Sequence, residues 1–264
     1  MAQLEERLGV KLVARSTRGL MVTEAGQSVY ERAMRLLEDA DEADLAARGA
    51  GAGLTGRLRI CAAVTFARLH IVPRLPEFLA GHPGLEMEVV LDDRNIDLVH
   101  EGIDVALRMG ELADSALTAR RVAHCARVVV ATPAYLEKAG APLIPVDLLT
   151  HQTITYARRG GGESWAFRRG ADETTVTLRG RLRIDAAEGV RAAVLADGGL
   201  AVGSHWMFAP ELADGTLKAV LTDWDLPPID VSAVFPAGRV ATTKARTFIA
   251  FVERILSGWS PEEA

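Results

Sequence analysis

From Leu58 onward, short apolar runs alternate with segments of helical spacing, and this alternation constrains the fold more than any other feature of the chain. Leu58–Val64, Leu85–Leu91, Ile103–Met109, Arg127–Ala131, Gln152–Tyr156, Thr174–Leu178, Arg181–Ile184, Gly198–Gly203 and Ile229–Phe235 read as strands. Between them Phe66–Gly81 (interrupted by Pro73 and Pro76), Asn95–Glu101, Pro133–Ala139, Ala186–Ala196 and Thr242–Leu256 read as helices. Parallel neighbours need a crossover long enough to hold a helix, so the pattern implies βαβ units and a mostly parallel sheet. The stretch after Gly56 is long enough for two α/β lobes of about one hundred residues each.

The chain before Gly56 differs in character. Ala2–Leu8 reads as a helix stopped by Gly9, which enters the left-handed region without a Cβ clash. Val10–Arg15 and Leu20–Thr23 are β-prone and are joined by the turn-forming "STRG". Thr23 suits an N-cap for a helix running from about Glu24 to about Ala47. Val29, Ala33, Leu36, Ala40, Ala43 and Ala47 fall at alternating spacings of four and three along it, a thin heptad seam. Tyr30, Met34 and Leu37 form a second stripe that a small hairpin cannot cover, so the helix is expected to pair with a copy of itself. Arg48–Gly56 is a Gly/Ala-rich linker.

Charge sharpens the reading of the hairpin. The net charge of −5 argues against a basic coat for nucleic acid, yet Arg7, Lys11, Arg15 and Arg18 lie in a window with no acidic residue. Two cysteines, Cys61 and Cys125, form neither a disulfide framework nor a metal motif, and Cys61 lies in an apolar strand. The first residues lack the apolar core of a signal peptide, and no apolar run approaches a membrane span. A cytoplasmic protein is expected.

The segment "LEERLGVKLVARSTRGLMVTEAG" resembles the end of the recognition helix, the wing and the start of the linker helix of LysR-type transcriptional regulators. The pieces "HPGLEMEVVLDD", "LVHEGIDVALRMGELADSAL", "VVVATPAYLEKAG" and "LADGGLAVGSHWM" follow in the order of that family's effector-binding domain. The resemblance implies a remnant of a winged helix-turn-helix (residues 1–23), a linker and dimerisation helix with its hinge (24–56), and two lobes like those of periplasmic solute-binding proteins. Lobe I would be 57–131 plus 235–256 and lobe II 132–234, with crossovers near Ala131–Pro133 and Val234–Pro236. Two helices and the front of the recognition helix come before this point in the family. The resemblance therefore implies a chain cut within its helix-turn-helix, without the residues that reach base edges.

Arg15, Ser16, Thr17 and Arg18 at the wing tip would contact phosphates, which position a protein on DNA without reading sequence. Val29, Ala33, Leu36 and Ala40 would form the seam of a homodimer, or of a homotetramer built from dimers. A small-molecule effector, anionic on the residue types present, would lie in the cleft beyond the carboxyl ends of the strands. Thr65 follows a strand, where it caps the next helix, binds an anion, or does both. Arg108 ends another strand and either binds an effector acid or forms an interlobe salt bridge. Gly203 and Ser204 at a strand end allow close backbone approach and offer a hydroxyl; Thr132 stands at the first crossover; Phe66 and Tyr156 would supply an apolar wall. His205 reads as structural.

Nothing in the residues calls for catalysis, a metal or a cofactor. In "RRGGGESW" the third glycine of a dinucleotide fingerprint would fall on Trp165, and no phosphate-loop, zinc-protease or nucleophile-elbow motif occurs. Three readings follow. One is a DNA-binding regulator controlled by its effector, with promoter DNA as partner when the DNA-binding domain is complete. Another is an effector-binding dimer without specific DNA binding. The third is a cytoplasmic solute receptor. None involves a membrane.

Overall fold

The structure, a computed structural model, describes residues 1–16, 19–30, 32, 33, 36, 40, 53–94, 96–110, 112, 118–156, 163–236 and 241–257. Helix α1 (Ala2–Leu8) ends at Gly9 with φ 67°, as expected. Its Glu5 carboxylate accepts hydrogen bonds from the backbone N–H groups of Leu12 (2.8 Å) and Val13 (3.2 Å), which seats α1 on the following hairpin. Strands β1 (Val13–Ser16) and β2 (Gly19–Val22) pair antiparallel, with Arg15 opposite Leu20 and Ser16 opposite Gly19. Helix α2, helical at 24–30, 32, 33, 36 and 40, starts at Thr23, whose Oγ1 accepts from Gly26 N (3.0 Å) and donates to the Lys11 carbonyl (2.6 Å). Gly26 is required there, since a Cβ would stand 2.0 Å from the Leu12 carbonyl oxygen.

Beyond the linker the elements run in the following order. β3 (Thr55–Ala62), α3 (Val64–Phe66), α4 (Leu75–Ala80), β4 (Gly84–Leu91), β5 (Val105–Met109) and β6 (Thr118–Cys125) come first. Then follow β7 (Arg127–Ala131), α5 (Pro133–Ala139), β8 (Thr153–Tyr156), β9 (Glu163–Arg169), β10 (Asp172–Leu178) and β11 (Leu182–Ile184). The chain continues with α6 (Ala187–Leu195), β12 (Leu200–Ser204), α7 (His205–Ala213), β13 (Lys218–Val220), β14 (Ile229–Phe235) and α8 (Thr243–Ser257). Pro73 and Pro76 break the segment after α3 as expected: a π-turn (Ala67–Ile71) and a 3-10 turn (Val72–Arg74) precede α4, each proline sitting where its missing N–H costs least.

Two five-stranded sheets result, ordered β4-β3-β5-β14-β6 and β11-β8-β12-β7-β13. In the first, β3, β4 and β5 are parallel, while β14 runs antiparallel to β5 and β6. α8 closes it, with Phe248 and Phe251 against Phe78. In the second, β8, β11 and β12 are parallel and β7 is antiparallel to β12 and β13. Its faces carry α6 and α7 through Val190, Val194 and Phe208, and the β9–β10 hairpin through Phe167, Val176 and Leu178.

Sheet membership corrects both expected crossovers. β7 belongs to the second sheet, so the chain leaves the first lobe at Ala126 rather than at Ala131–Pro133. β14 belongs to the first sheet, so the return lies between Val220 and Ile229 rather than at Val234–Pro236. Pro133 and Pro236 end strands but do not mark the joints, and β6 is a strand that sequence reading passed over. "TARRVAHC" is an edge strand whose arginines face solvent and pair with Glu253 and Asp230, so it lacks an apolar run. The expected helix at Asn95–Glu101 is a single turn over its described part: the Asp97 carboxylate accepts from Val99 N and His100 N and closes it locally. No helix among the described residues is long and apolar enough to cross a membrane.

Candidate functional site: the interlobe cleft

The carboxyl ends of β3, β4 and β5 lie on one edge of the first sheet because these strands are parallel. That edge carries Thr65, Phe66 and Arg68 after β3, Asp92, Asp93 and Arg94 after β4, and Arg108 on β5. The second lobe faces it with the start of α6 and the start of α7.

Thr65 is buried but does not cap a helix, contrary to one expectation. The backbone N–H of Val64 is taken by the Asp93 carboxylate (3.0 Å), which leaves the Thr65 hydroxyl free to donate to Glu188 Oε2 at 3.1 Å. Glu188 lies in the first turn of α6, on the other lobe. Arg68 Nη2 donates to both Glu188 oxygens at 3.0 Å. Arg191 adds a contact from Nη1 at 3.3 Å and holds Glu211 with Nη2. Burial by itself would raise the Glu188 carboxyl, but the hydrogen bonds from Arg68 and Thr65 and the charges of Arg68 and Arg191 hold it below the usual glutamate range. Sequence reading placed an anion at Thr65; the protein's own carboxylate is there.

Phe66 packs against Trp206, ring centroids 5.6 Å apart, and both rings are buried in the first lobe's core. Trp206 is the second residue of α7, so the second lobe inserts an indole into the first. His70 Nε2–H donates to the Trp206 carbonyl at 2.8 Å. Burial pushes His70 below its ordinary value, so the ring stays neutral, although the carbonyl bond opposes the shift. Tyr156, at the end of β8, packs with the α6 and α7 cluster of its own lobe, so Trp206 and not Tyr156 is the aromatic neighbour of Phe66.

Arg108 is 7% exposed and donates from Nη1 to the Arg94 carbonyl, within its own lobe. Among the described residues no carboxylate forms a salt bridge with it, within its lobe or across the cleft, although the Asp92 charge lies near enough to act on it. The nearby Asp92 is gripped by the Arg94 side chain (Nη2–Oδ2 2.8 Å), which holds its carboxyl below the usual range.

Ser204 caps α7, its Oγ accepting from Met207 N at 3.2 Å. A Cβ at Gly203 would lie 2.7 Å from the Phe208 ring, so the space that glycine leaves is filled by the protein. Thr132 does not join this group. It caps α5 at the carboxyl end of β7, and because β7 runs antiparallel to β12 that end is the edge opposite Ser204. Its hydroxyl bonds Asp197, beside a surface cavity of about 650 Å³ lined by Tyr135, Lys138 and His151. The physical reason is the corrected crossover: the start of β7, not its end, adjoins the first lobe.

At the wing, Arg15 and Ser16 occupy strand positions next to the turn, while Thr17 and Arg18 lie outside the described residues. Of the expected seam, Val29 is half-buried, Ala33 and Ala40 are exposed, and Leu36 is 70% exposed. Arg68, Glu188 and Trp206 were missed by sequence reading. "HW" directly after the Ser204 cap was the one local hint.

Residues 51–257 match the family model described as the LysR substrate binding domain. The HTH-type transcriptional regulator PtxR of Pseudomonas aeruginosa is 34% identical over 249 residues, covering 94% of this chain and 80% of PtxR. A HTH-type transcriptional regulator of Xanthomonas campestris pv. campestris is 32% identical over 254 residues, 95% of this chain and 74% of that protein. The solved structure of CrgA, a LysR-type transcriptional regulator from Neisseria meningitidis, superposes with a TM-score of 0.70 at 27% identity, covering 97% of this chain and 87% of CrgA. With its wing, its two α/β lobes and these relatives, the chain belongs to the LysR family of transcriptional regulators.

Proposed function

We propose that the protein works in the cytoplasm as a homodimer or homotetramer, binding promoter DNA through its wing and a small anionic effector in the interlobe cleft. It is a receptor in this reading and not a catalyst. One observation carries it: Arg108 is a buried cation on the cleft edge whose described partner is a backbone carbonyl. The Asp92 carboxylate lies near enough to act on it electrostatically but is held by Arg94, so an arriving acid gains a direct charge-assisted bond to Arg108. Thr65, Phe66 and Ser204 stand on the surfaces that meet there, and Tyr156 and Gly203 form the adjoining strand ends. Effector binding matters only if it favours one lobe arrangement over another.

Arg15, Ser16, Thr17 and Arg18 supply phosphate contacts, and Val29, Ala33, Leu36 and Ala40 the pairing seam. The test is retention of genomic fragments by the chain, followed by anisotropy with a retained fragment across salt concentrations. Arg15→Ala and Arg18→Ala should weaken binding to all fragments alike and lower the salt slope by about one each. Unchanged slopes would remove the wing from the interface. Failure to retain any specific fragment would favour the effector-binding dimer without specific DNA binding, or the solute receptor.

A further inference from the structure

The interlobe contact is an anion seat that the chain already fills. Thr65 and Arg68 stand on the first lobe and converge on one carboxylate, a hydroxyl at 3.1 Å and a guanidinium nitrogen at 3.0 Å from both oxygens. That carboxylate, Glu188, arrives from the second lobe. The two sides are unequal once they part. Glu188 keeps Arg191, its i,i+3 neighbour on the same helix, at 3.3 Å. Arg68 and the buried Thr65 hydroxyl have Glu188 as their side-chain partner and lose it. Separation of the lobes therefore leaves a vacant seat on the first lobe only. Arg108 lies near the carboxyl end of β5 on the same edge of the sheet, one residue past the Ala62–Leu107 register pair.

We infer that Glu188 is a built-in occupant of the effector's anion subsite, and that the effector carries a carboxylate which replaces it on Thr65 and Arg68. This rests on the cleft being the effector site. The exchange couples binding to lobe position, because the bond that is broken joins the lobes while the bond that replaces it joins the effector to one of them. It also sets specificity. A neutral amide in the seat leaves Arg68 without an anion, whereas a carboxylate restores both of its charge-assisted bonds. Arg68 is thus a specificity-determining contact and Glu188 an internal competitor.

The experiment uses the full 264-residue chain. Acetate, succinate, benzoate, their amides and inorganic phosphate are titrated calorimetrically into the wild type, Glu188→Ala, Arg68→Ala and the exchanged pair R68E/E188R. At least one carboxylate should bind. It should bind about tenfold more tightly to Glu188→Ala, since the competitor is gone and the binding-competent fraction rises. Arg68→Ala should lose it. The exchanged pair should fail to bind the acid, because a carboxylate then stands in the seat on the first lobe. Amide exchange over 64–71 should quicken in unliganded Glu188→Ala. The inference is overturned if Glu188→Ala leaves carboxylate affinity unchanged or weaker, if amides or phosphate bind as well as carboxylates, or if no carboxylate binds any variant. Amide binding that shifts DNA affinity would overturn the exchange while leaving the effector cleft standing; binding that leaves DNA affinity unmoved would remove the effector role itself.

Discussion

Glu188 and Arg68 meet across the two lobes, with one guanidinium nitrogen 3.0 Å from both carboxylate oxygens. The carboxyl is held below the ordinary glutamate value of 4.5. A depressed folded-state value stabilises the native state above the unfolded value, and the gain is lost as pH falls through the folded one. The melting-temperature difference between wild type and Glu188→Gln should therefore be constant from pH 8 to pH 5 and shrink below about 4.5. Because both side chains are about two-fifths exposed, the difference should be small and should fall with salt. A difference that grew on acidification would contradict the assignment.

His70 points the other way in its chemistry but not in its sign. Burial keeps the ring neutral, so its folded value lies below 6.5. The unfolded chain takes up the proton first, and stability is lost as pH falls from the unfolded value toward the folded one. His205, also lowered by burial, contributes in the same window. His70→Gln should reduce the slope of stability against pH below 6.5 without abolishing it, as read by urea melts at stepped pH. An unchanged slope would mean that His70 does not titrate with unfolding.

Gly26→Ala should disturb the wing and spare the lobes. The added methyl would stand 2.0 Å from the Leu12 carbonyl oxygen and 2.9 Å from Val22, so the helix start or the hairpin must shift. Overpacking of this kind costs ~1–3 kcal/mol locally. DNA affinity should fall while the melting temperature of the 51–257 unit stays within a degree or so of wild type. A drop in both would place the hairpin in the same cooperative unit as the lobes.

Arg127 braces the joint between the lobes. It starts β7, donates to the carbonyls of Pro227 and Pro228 on the returning segment, and lies 4.7 Å from the Trp165 ring centre. Arg127→Ala should destabilise by about 1–2 kcal/mol through the lost bonds and stacking. Arg127→Lys should recover only part of this, since an ammonium can bond the carbonyls but has no planar face to lay on the indole. Calorimetric melts of both variants decide this; full recovery by lysine would show that charge alone matters.

Leu36→Asp should lower the order of assembly. Leu36 is 70% exposed on the single chain, at a position of the expected seam where a partner helix would cover it. A charge there is buried by pairing without a counter-ion, a cost of several kcal/mol. Light scattering across a dilution series should report a smaller species than wild type; an unchanged mass would move the pairing elsewhere.

Local signals carried much of the fold. Gly9, the Thr23 and Ser204 caps, the prolines after Phe66 and the apolar strands all act within a few residues, and each stands where its own chemistry puts it. The edge strand Thr118–Cys125 escaped because its stability comes from pairing with Ile229–Phe235, far along the chain, and not from its own apolar content. Setting the crossovers at Pro133 and Pro236 put Thr132 at the cleft, when it lies on the far edge. The cleft was legible in kind and not in detail. A threonine after a strand announces a place for an anion, but the sequence does not say which group comes to it. Asp93 takes the cap at Val64, and Glu188, 123 residues from Thr65, takes the hydroxyl. Such contacts are decided by how two sheets and their helices pack, because a hydrogen bond between distant residues depends on their separation in space and leaves no periodicity in the chain. The sequence by itself determined two α/β lobes behind a basic wing; the tertiary structure decided where the lobes exchange the chain and which carboxylate holds them together.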